Sequence, residues 1–275
     1  MHFRKKYQVH EGQKIHLVDI DPGARDELLD KEEAEPLIQH YSEKLRDLQF
    51  RLYAESGQSL LICLQAMDAG GKDGTIRHVL GYMNPQGCRV QAFKQPTPEE
   101  QAHDFLWRAH RAVPAKGEVV IFNRSYYENV LVTRVHGQID QQVCMQRYDG
   151  INQFERHLTD NGTHILKFYL HISKEEQLRR LTKRLDDPNR WWKVSEADFQ
   201  ERQYWDDYQQ AFEDIFNHCS SNRAPWFVIP ANHKWYRNLI ISRIVVEYLE
   251  SLNLQLPPVS ADIESIRQQY CAACK

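Results

Sequence analysis

Five short apolar runs, each separated from the next by a segment of helical periodicity, constrain this chain more than any other feature. The runs lie at 60–65, 89–93, 119–122, 165–172 and 226–229. Each has the length and composition of a buried strand. Residues 74–83, 98–112, 140–160, 173–185 and 235–253 instead repeat their apolar positions every three to four residues, as amphipathic helices do. A leading helix is expected at 35–55, where Leu37, Tyr41, Leu45, Leu48 and Leu52 share one face. Ser173 and Glu176 have the spacing of a capping box. Alternating strands and helices predict a doubly wound α/β fold with a parallel sheet, whose ligands sit beyond the carboxyl ends of the strands.

Residues 186–218 break the alternation. A loop with Pro188 leads to a helix from Ser195 that carries Trp205, Tyr208, Phe212 and Ile215 on one stripe. The segment reads as a lid inserted before the last strand, and its aromatic stripe as packing rather than a base-stacking platform. Asp198 reads as the capping partner of Ser195 in preference to a catalytic group. A chain of 275 residues supports one core of this kind. The expected organisation is an extension at 1–34, a domain at 35–255 with its lid at about 180–218, and a tail at 256–275.

Lysine and arginine number 35 against 38 acids, a net charge of −3, so no global field attracts polyanions and any such site is local. No apolar run approaches the ~20 residues of a membrane span, and the basic start of the chain has no apolar stretch after it. A cytoplasmic enzyme with no membrane or nucleic-acid partner is expected. Six scattered cysteines predict reduced thiols, with Cys271 and Cys274 in an inert tail. The thirteen histidines have no metal-ligand spacing with cysteine.

The chemistry concentrates after the first strand, in Leu64-Gln-Ala-Met-Asp-Ala-Gly-Gly-Lys-Asp-Gly-Thr75. A glycine turn between strand and helix is the setting of a phosphate-binding loop, where backbone N–H groups hold phosphate oxygens. Ala69, Gly70, Gly71, Asp73, Gly74 and Thr75 are the expected contacts, and Lys72 can reach a transferred phosphoryl group. The usual first glycine is Ala66, and Asp73 replaces the usual Ser/Thr, so the same residues also fit an ordinary turn with a solvated lysine. Asp68 argues against that: a carboxylate in a phosphate loop repels the ligand unless a divalent cation lies between them. Arg124, just past the third strand, suits bidentate phosphate binding or a structural ion pair. Glu128 can bind metal, orient a basic residue, or simply complement a helix dipole. Between Lys174 and Lys193 seven basic residues face four acids, either a solvated face or a track for a polyanion.

Met67-Asp-Ala-Gly-Gly-Lys-Asp-Gly74 followed by Ile121-Phe-Asn-Arg-Ser-Tyr-Tyr-Glu128 resembles the polyphosphate kinase 2 family. The resemblance continues through Arg184-Leu-Asp-Asp-Pro188, Trp192-Lys193, Arg202, Trp205-Asp-Asp-Tyr208, Ala224-Pro-Trp226 and Lys234-Trp-Tyr-Arg-Asn238. It implies a P-loop kinase-like (thymidylate kinase-like) fold: a five-stranded parallel sheet flanked by helices, with a helical lid. It implies Mg²⁺-dependent, reversible phosphoryl transfer from inorganic polyphosphate to AMP and/or ADP, giving ADP and ATP, with Mn²⁺ as a substitute metal. Asp68, Lys72 and Arg124 become the catalytic set, and Asp68 the metal ligand. Asn123, Glu128 and Arg134 join the phosphate and nucleotide contacts, and Lys183, Arg184 and Lys193 bind polyphosphate. A homo-oligomer is the expected state. Many members have aspartate where this chain has Asn123, and the Asn-Arg-Ser-Tyr-Tyr-Glu pattern resembles the class that accepts both AMP and ADP. An amide cannot supply that aspartate's charge, which leaves more of the metal's binding to Asp68, with Glu128 in support. The competing readings are an ATP-dependent nucleotide kinase of thymidylate kinase type and a non-enzymatic sensor of polyphosphate or nucleotide.

Overall fold

A computed structural model describes residues 3–273, so Cys274 of the tail pair lies outside the described residues. The strands are β1 (Ser59–Gln65), β2 (Cys88–Ala92), β3 (Val119–Asn123), β4 (Thr163–His171) and β5 (Trp226–Pro230). They form one sheet in the order β2-β3-β1-β4-β5, and every pairing is parallel. Every residue of β1 is buried, because neighbours cover both its edges and helices both its faces, so its sequence is a continuous apolar run. β2 lies at the edge, where Arg89 and Gln91 are tolerated. From β1 the chain travels to one edge and later crosses to the other side, which opens a crevice at the carboxyl ends of β1, β3 and β4.

The helices in chain order are α1 (Phe3–Tyr7), α2 (Lys31–Glu55), α3 (Lys72–His78), α4 (Pro98–Gln101), α5 (Trp107–His110) and α6 (Glu128–Val135). Then follow α7 (Gln141–Asp160), α8 (Lys174–Leu185), α9 (Glu196–Gln200), α10 (Trp205–Cys219), α11 (Lys234–Ser251) and α12 (Ile263–Ala273). Asp30 and Glu33 cap the start of α2 reciprocally, and its buried Leu45 and Leu52 pack toward α11. Residues before α2 belong to the same core. Phe3, Tyr7, Val9, Ile15 and Leu17 are buried in it, and the Val9 N–H donates to Trp226 O at 2.8 Å.

Three expected helices differ in detail. The segment 98–112 forms two single turns, because the Asp104 side chain takes the Leu106 N–H at 2.9 Å and starts a new turn there. The helix expected at 74–83 begins at Lys72 and ends at His78, and a 3₁₀ turn, Leu80–Tyr82, continues the chain. The helix expected from Ser195 is broken: α9 gives way to a 3₁₀ turn, Glu201–Tyr204, before α10 begins. α10 is a core helix, with the Phe212 ring 4.2 Å from Tyr169 and Phe216 5.4 Å from Trp226. Within the 180–218 span, the part that stands outside the core is the stretch around 188–204, where Trp192 and Phe199 are exposed. Among the described residues no helix is long and apolar enough to cross a membrane.

Candidate active site

The chain leaves β1 at Gln65 and turns through 66–71 into α3. Two glycines there answer different demands. Gly71 has φ 110°, a left-handed conformation that costs glycine nothing. Gly70 is needed for close approach: a Cβ on it would stand 2.5 Å from the Ala66 Cβ and 2.8 Å from Met67 O. Ala69, just before them, adopts φ 58°, a strained value for a residue with a side chain.

Two side chains of α8 hold this conformation. Gln177 donates to Asp68 O at 3.0 Å, and Arg180 Nη1 donates to Ala69 O and Gly70 O, each at 3.0 Å. The C=O and N–H of a trans peptide point in opposite directions, so the grip on Gly70 O turns the Gly71 N–H away from Arg180. Arg180 is itself anchored by Glu176 at 2.6 Å and by the carbonyls of Ala231 and Asn232. The result is a preformed turn, closed within itself by the Gly70 N–H on Met67 O at 2.9 Å, of the kind that leads a strand into an anion-binding helix start. Thr75 is fully buried, with its N–H on Gly71 O at 2.9 Å, and so supports the turn from within.

Lys72 is half-buried with its ammonium turned inward onto Ala66 O at 3.0 Å. Burial foremost, then the Arg124 charge, bring its pKa down from 10.5 to about 8, against the opposing pull of Asp68, Glu128 and Asp73.

β3 brings the second half of the site to the same level. Leu64 is paired with Asn123, and the next N–H, that of Arg124, donates to Leu64 O at 3.1 Å. Arg124 has φ 61°, a second strained residue facing the turn. Its guanidinium bridges two carboxylates, Asp68 Oδ1 at 2.7 Å and Glu128 Oε2 at 3.1 Å, and Glu128 foremost holds it firmly protonated. Glu128, at the first position of α6, also accepts from Gln65 Nε2 at 3.1 Å. Of the roles open to it, this geometry gives Glu128 the orienting of Arg124.

Asn123 and Asp73, the two departures from the usual phosphate-loop pattern, are partners. The Asn123 Nδ2 donates to Asp73 Oδ1 at 3.0 Å, and Lys193 Nζ meets Asp73 Oδ2 at 2.7 Å. An aspartate at 123 would repel Asp73, whereas the amide donates to it. The Lys193 hydrogen bond, helped by Asn123, pulls the Asp73 carboxyl below its ordinary value.

A cleft, partly open to solvent, borders the turn. Asp68, Arg124 and Glu128 form its polar end, while Leu131, Val132 and Phe212 form an apolar wall. Tyr208 closes one side and donates to Glu201 at 2.8 Å.

Not every expected residue is brought here. Arg134 is engaged in packing α6 on its neighbours, with Asp214 at 2.6 Å and the Tyr148 hydroxyl at 3.1 Å, and it does not line the cleft. Arg184 pairs with Asp198 at 3.1 Å, and Lys183 is exposed. The Ser195 hydroxyl caps the Ala197 N–H, so Asp198 is free of the capping role expected for it. Burial and the Asp68 charge raise the pKa of Asp198, which places this carboxylate of the outer segment within electrostatic reach of the turn. At α8, Ser173 accepts the Glu176 N–H, but Glu176 turns to Arg179 and Arg180, so only half of the expected capping box forms.

Gln177 was not singled out in the sequence, and Arg180 stood there only as one of the seven basic residues between Lys174 and Lys193; Arg202, which carries part of the family resemblance, donates to Gln177 Oε1 at 2.6 Å. The only available signal was the three-residue spacing that puts Gln177 and Arg180 on one helix face.

Among the described residues no three His, Cys, Asp or Glu side chains converge as a metal cage. The donor set fits a cation that borrows ligands from its substrate. Arg124 engages Oδ1 of Asp68 alone, which leaves one carboxylate oxygen at the mouth of the turn. One carboxylate plus substrate phosphates is a common environment for Mg²⁺, which keeps several of its waters.

Residues 28–257 match the family model described as Polyphosphate kinase 2. The chain is 49% identical over 269 residues to the AMP/ADP-polyphosphate phosphotransferase of Meiothermus ruber, with 95% of this chain and 98% of that one covered. It is 43% identical over 285 residues to the ADP-polyphosphate phosphotransferase of Rhodopseudomonas palustris, covering 96% and 97%. The crystal structure of polyphosphate kinase 2 from Arthrobacter aurescens TC1 is similar at a TM-score of 0.92 and 43% identity, over 95% of this chain and 94% of that one.

Proposed function

Because the chain belongs to the polyphosphate kinase 2 family, we propose that it transfers a phosphoryl group from inorganic polyphosphate to AMP and/or ADP, giving ADP and ATP. The observation that carries this reading is the convergence of the glycine turn, Lys72 and the Asp68–Arg124 pair at the adjacent ends of β1 and β3. In-line phosphoryl transfer depends mostly on positioning and charge neutralisation, and an ionised acceptor phosphate needs no general base. Each group then has a simple task. The turn's N–H groups orient phosphate oxygens; Lys72 leaves Ala66 O for the transferred group; Arg124, steadied by Glu128, faces the same charge. The apolar wall of Leu131, Val132 and Phe212 receives the nucleoside. Lys183, Arg184 and Lys193 hold the polyphosphate chain and help to exclude water. Asp68 would hold Mg²⁺, or Mn²⁺ in its place, which when bound neutralises charge on the donor and acceptor oxygens. One phosphoanhydride is broken and another formed, so the reaction is reversible.

The test is an ATP-free assay with AMP, polyphosphate and Mg²⁺. ADP should appear first and ATP after it. Turnover of ADP with AMP untouched would restrict the acceptor to diphosphates. Turnover that requires ATP would replace this reading with that of an ATP-dependent nucleotide kinase.

A further inference from the structure

Arg237, in the second turn of α11, is 2% exposed and faces no carboxylate among the described residues. Its Nε and Nη2 both donate to one neutral acceptor, Asn238 Oδ1, at 3.1 and 2.7 Å. Its Nη1 points at the glycine turn. A Cβ built on Gly71 would stand 2.0 Å from that nitrogen, and one on Gly74 would stand 3.3 Å from Nη2. Arg180 approaches the same side of Gly71, with Nη1 3.6 Å from the Cβ position. The missing side chain of Gly71 is therefore filled by two guanidinium groups.

These two arginines differ in one respect. Arg180 has Glu176 as a counter-ion and backbone carbonyls around it. Arg237 has neither, while Arg124, Arg184 and Lys193 all have carboxylate partners. Burial, then the Arg180 charge, push the Arg237 pKa down to about 9, so it is still a cation at neutral pH. A buried, unneutralised charge is among the costliest groups a fold can carry, and an apolar side chain of similar length would avoid that cost. The cation makes physical sense if its counter-charge arrives with the ligand.

We propose that Arg237 is a positioning residue whose counter-ion is the phosphate chain held by the glycine turn, so that phosphate relieves an electrostatic strain present in the empty protein. The inference rests on the reading of the turn as a phosphate cradle. Arg237 acts across Gly71 and Gly74 and does not touch the transferred group. One unit charge at such a range in a partly desolvated site changes the affinity of an anion by about tenfold.

The experiment compares the full-length wild type with Arg237→Met, Arg237→Gln and Arg237→Lys, in buffer free of phosphate and sulfate. Melting temperature is measured without ligand, and the dissociation constant for tripolyphosphate by titration. The expected result is that Arg237→Met melts at or above the wild-type temperature and binds tripolyphosphate about tenfold more weakly. Arg237→Lys, which keeps the charge, should stay near wild type in affinity. A lower melting temperature without ligand makes Arg237 a packing residue and overturns the proposal, whatever the binding. If Arg237→Met fails to fold, Arg237→Gln, which keeps a donor for Asn238, carries the same comparison, and failure of both overturns it. A wild type that binds tripolyphosphate no better than Arg237→Met overturns this proposal and leaves the cradle standing. A wild type that does not bind it at all overturns both.

Discussion

Asp68 and Lys72 are neighbours in one turn with opposite charges, and substitution separates the tasks proposed for them. Asp68→Asn keeps the size of the side chain and removes its charge. Arg124 then still has Glu128, and the lost pair is partly exposed, so stability should change by no more than ~1 kcal/mol. If Asp68 holds the cation, turnover should fall by at least ~10²-fold, the scale seen when one key electrostatic group is removed. Excess Mg²⁺ should restore part of that loss, whereas Lys72→Met should be equally damaging and insensitive to Mg²⁺. A lowered melting temperature with near-normal turnover in Asp68→Asn would mark the carboxylate as structural.

Lys72 also imposes a pH dependence whose sign follows from its pKa of about 8, below the ordinary 10.5. Between these values the unfolded chain binds more protons than the folded one, so this group's contribution to stability rises with pH across that window. Phosphate binding has the opposite trend. Above pH 8 the empty site loses the ammonium charge, and a bound phosphate must draw the proton back. Tripolyphosphate affinity should therefore weaken as pH rises through about 8, and Lys72→Met should remove this part of the slope and leave the part nearer pH 9 that Arg237 contributes.

At the scale of elements, the segment between α8 and α10 touches the turn through Lys193 and Asp73. Both side chains are substantially exposed, so the pair adds little to stability. If polyphosphate occupies the turn as proposed, it offers Lys193 a stronger partner than Asp73. Lys193→Ala should leave the melting temperature unchanged and raise KM for polyphosphate several-fold. In the wild type, rising salt should reduce activity with long-chain polyphosphate more steeply than with a short donor, since a long polyanion loses more counterions on binding. Lys193→Ala should narrow that difference. Equal salt sensitivity for both donors in the wild type would remove the reason for assigning this basic segment to polyphosphate.

Across the whole molecule, the catalytic level is suspended from a charged core. Lys167 of β4 is fully buried and donates to Glu155 of α7 at 2.6 Å, to the Tyr127 hydroxyl at 3.0 Å and to Cys219 O at 2.6 Å. Glu155 in turn accepts from Tyr126 and Tyr127 at 2.7 and 2.8 Å. The two tyrosines directly follow Arg124 and Ser125, so this network fixes the loop that presents Arg124. Lys167→Met leaves Glu155 buried without its partner and should cost about 3–5 kcal/mol. That corresponds to a drop in melting temperature on the order of 10 °C, read by calorimetry. At a temperature where the variant stays folded, its KM for polyphosphate should be close to wild type.

The sequence alone determined the alternation of strands and helices and the residue content of the turn. Buried parallel strands must be continuous apolar runs and amphipathic helices must repeat every three to four residues, so the alternation of the two was legible as a parallel α/β sheet. The glycine turn with Asp68 and Lys72 was legible because its chemistry is contained in consecutive residues. Contacts between distant segments were not. Gln177 and Arg180 read as part of a charged helix, and only packing of α8 on the turn turns them into its clamp. Arg134 fits the family's pattern, yet the meeting of α6 with α10 ties it to Asp214. The stripe from Trp205 to Ile215 has the same helical spacing whether it faces a lid or a core, and its burial against Tyr169 and Trp226 depended on where β4 and β5 lie. Residue type and local spacing are carried by the chain itself, whereas burial and counter-ions depend on neighbours that only the folded structure brings together.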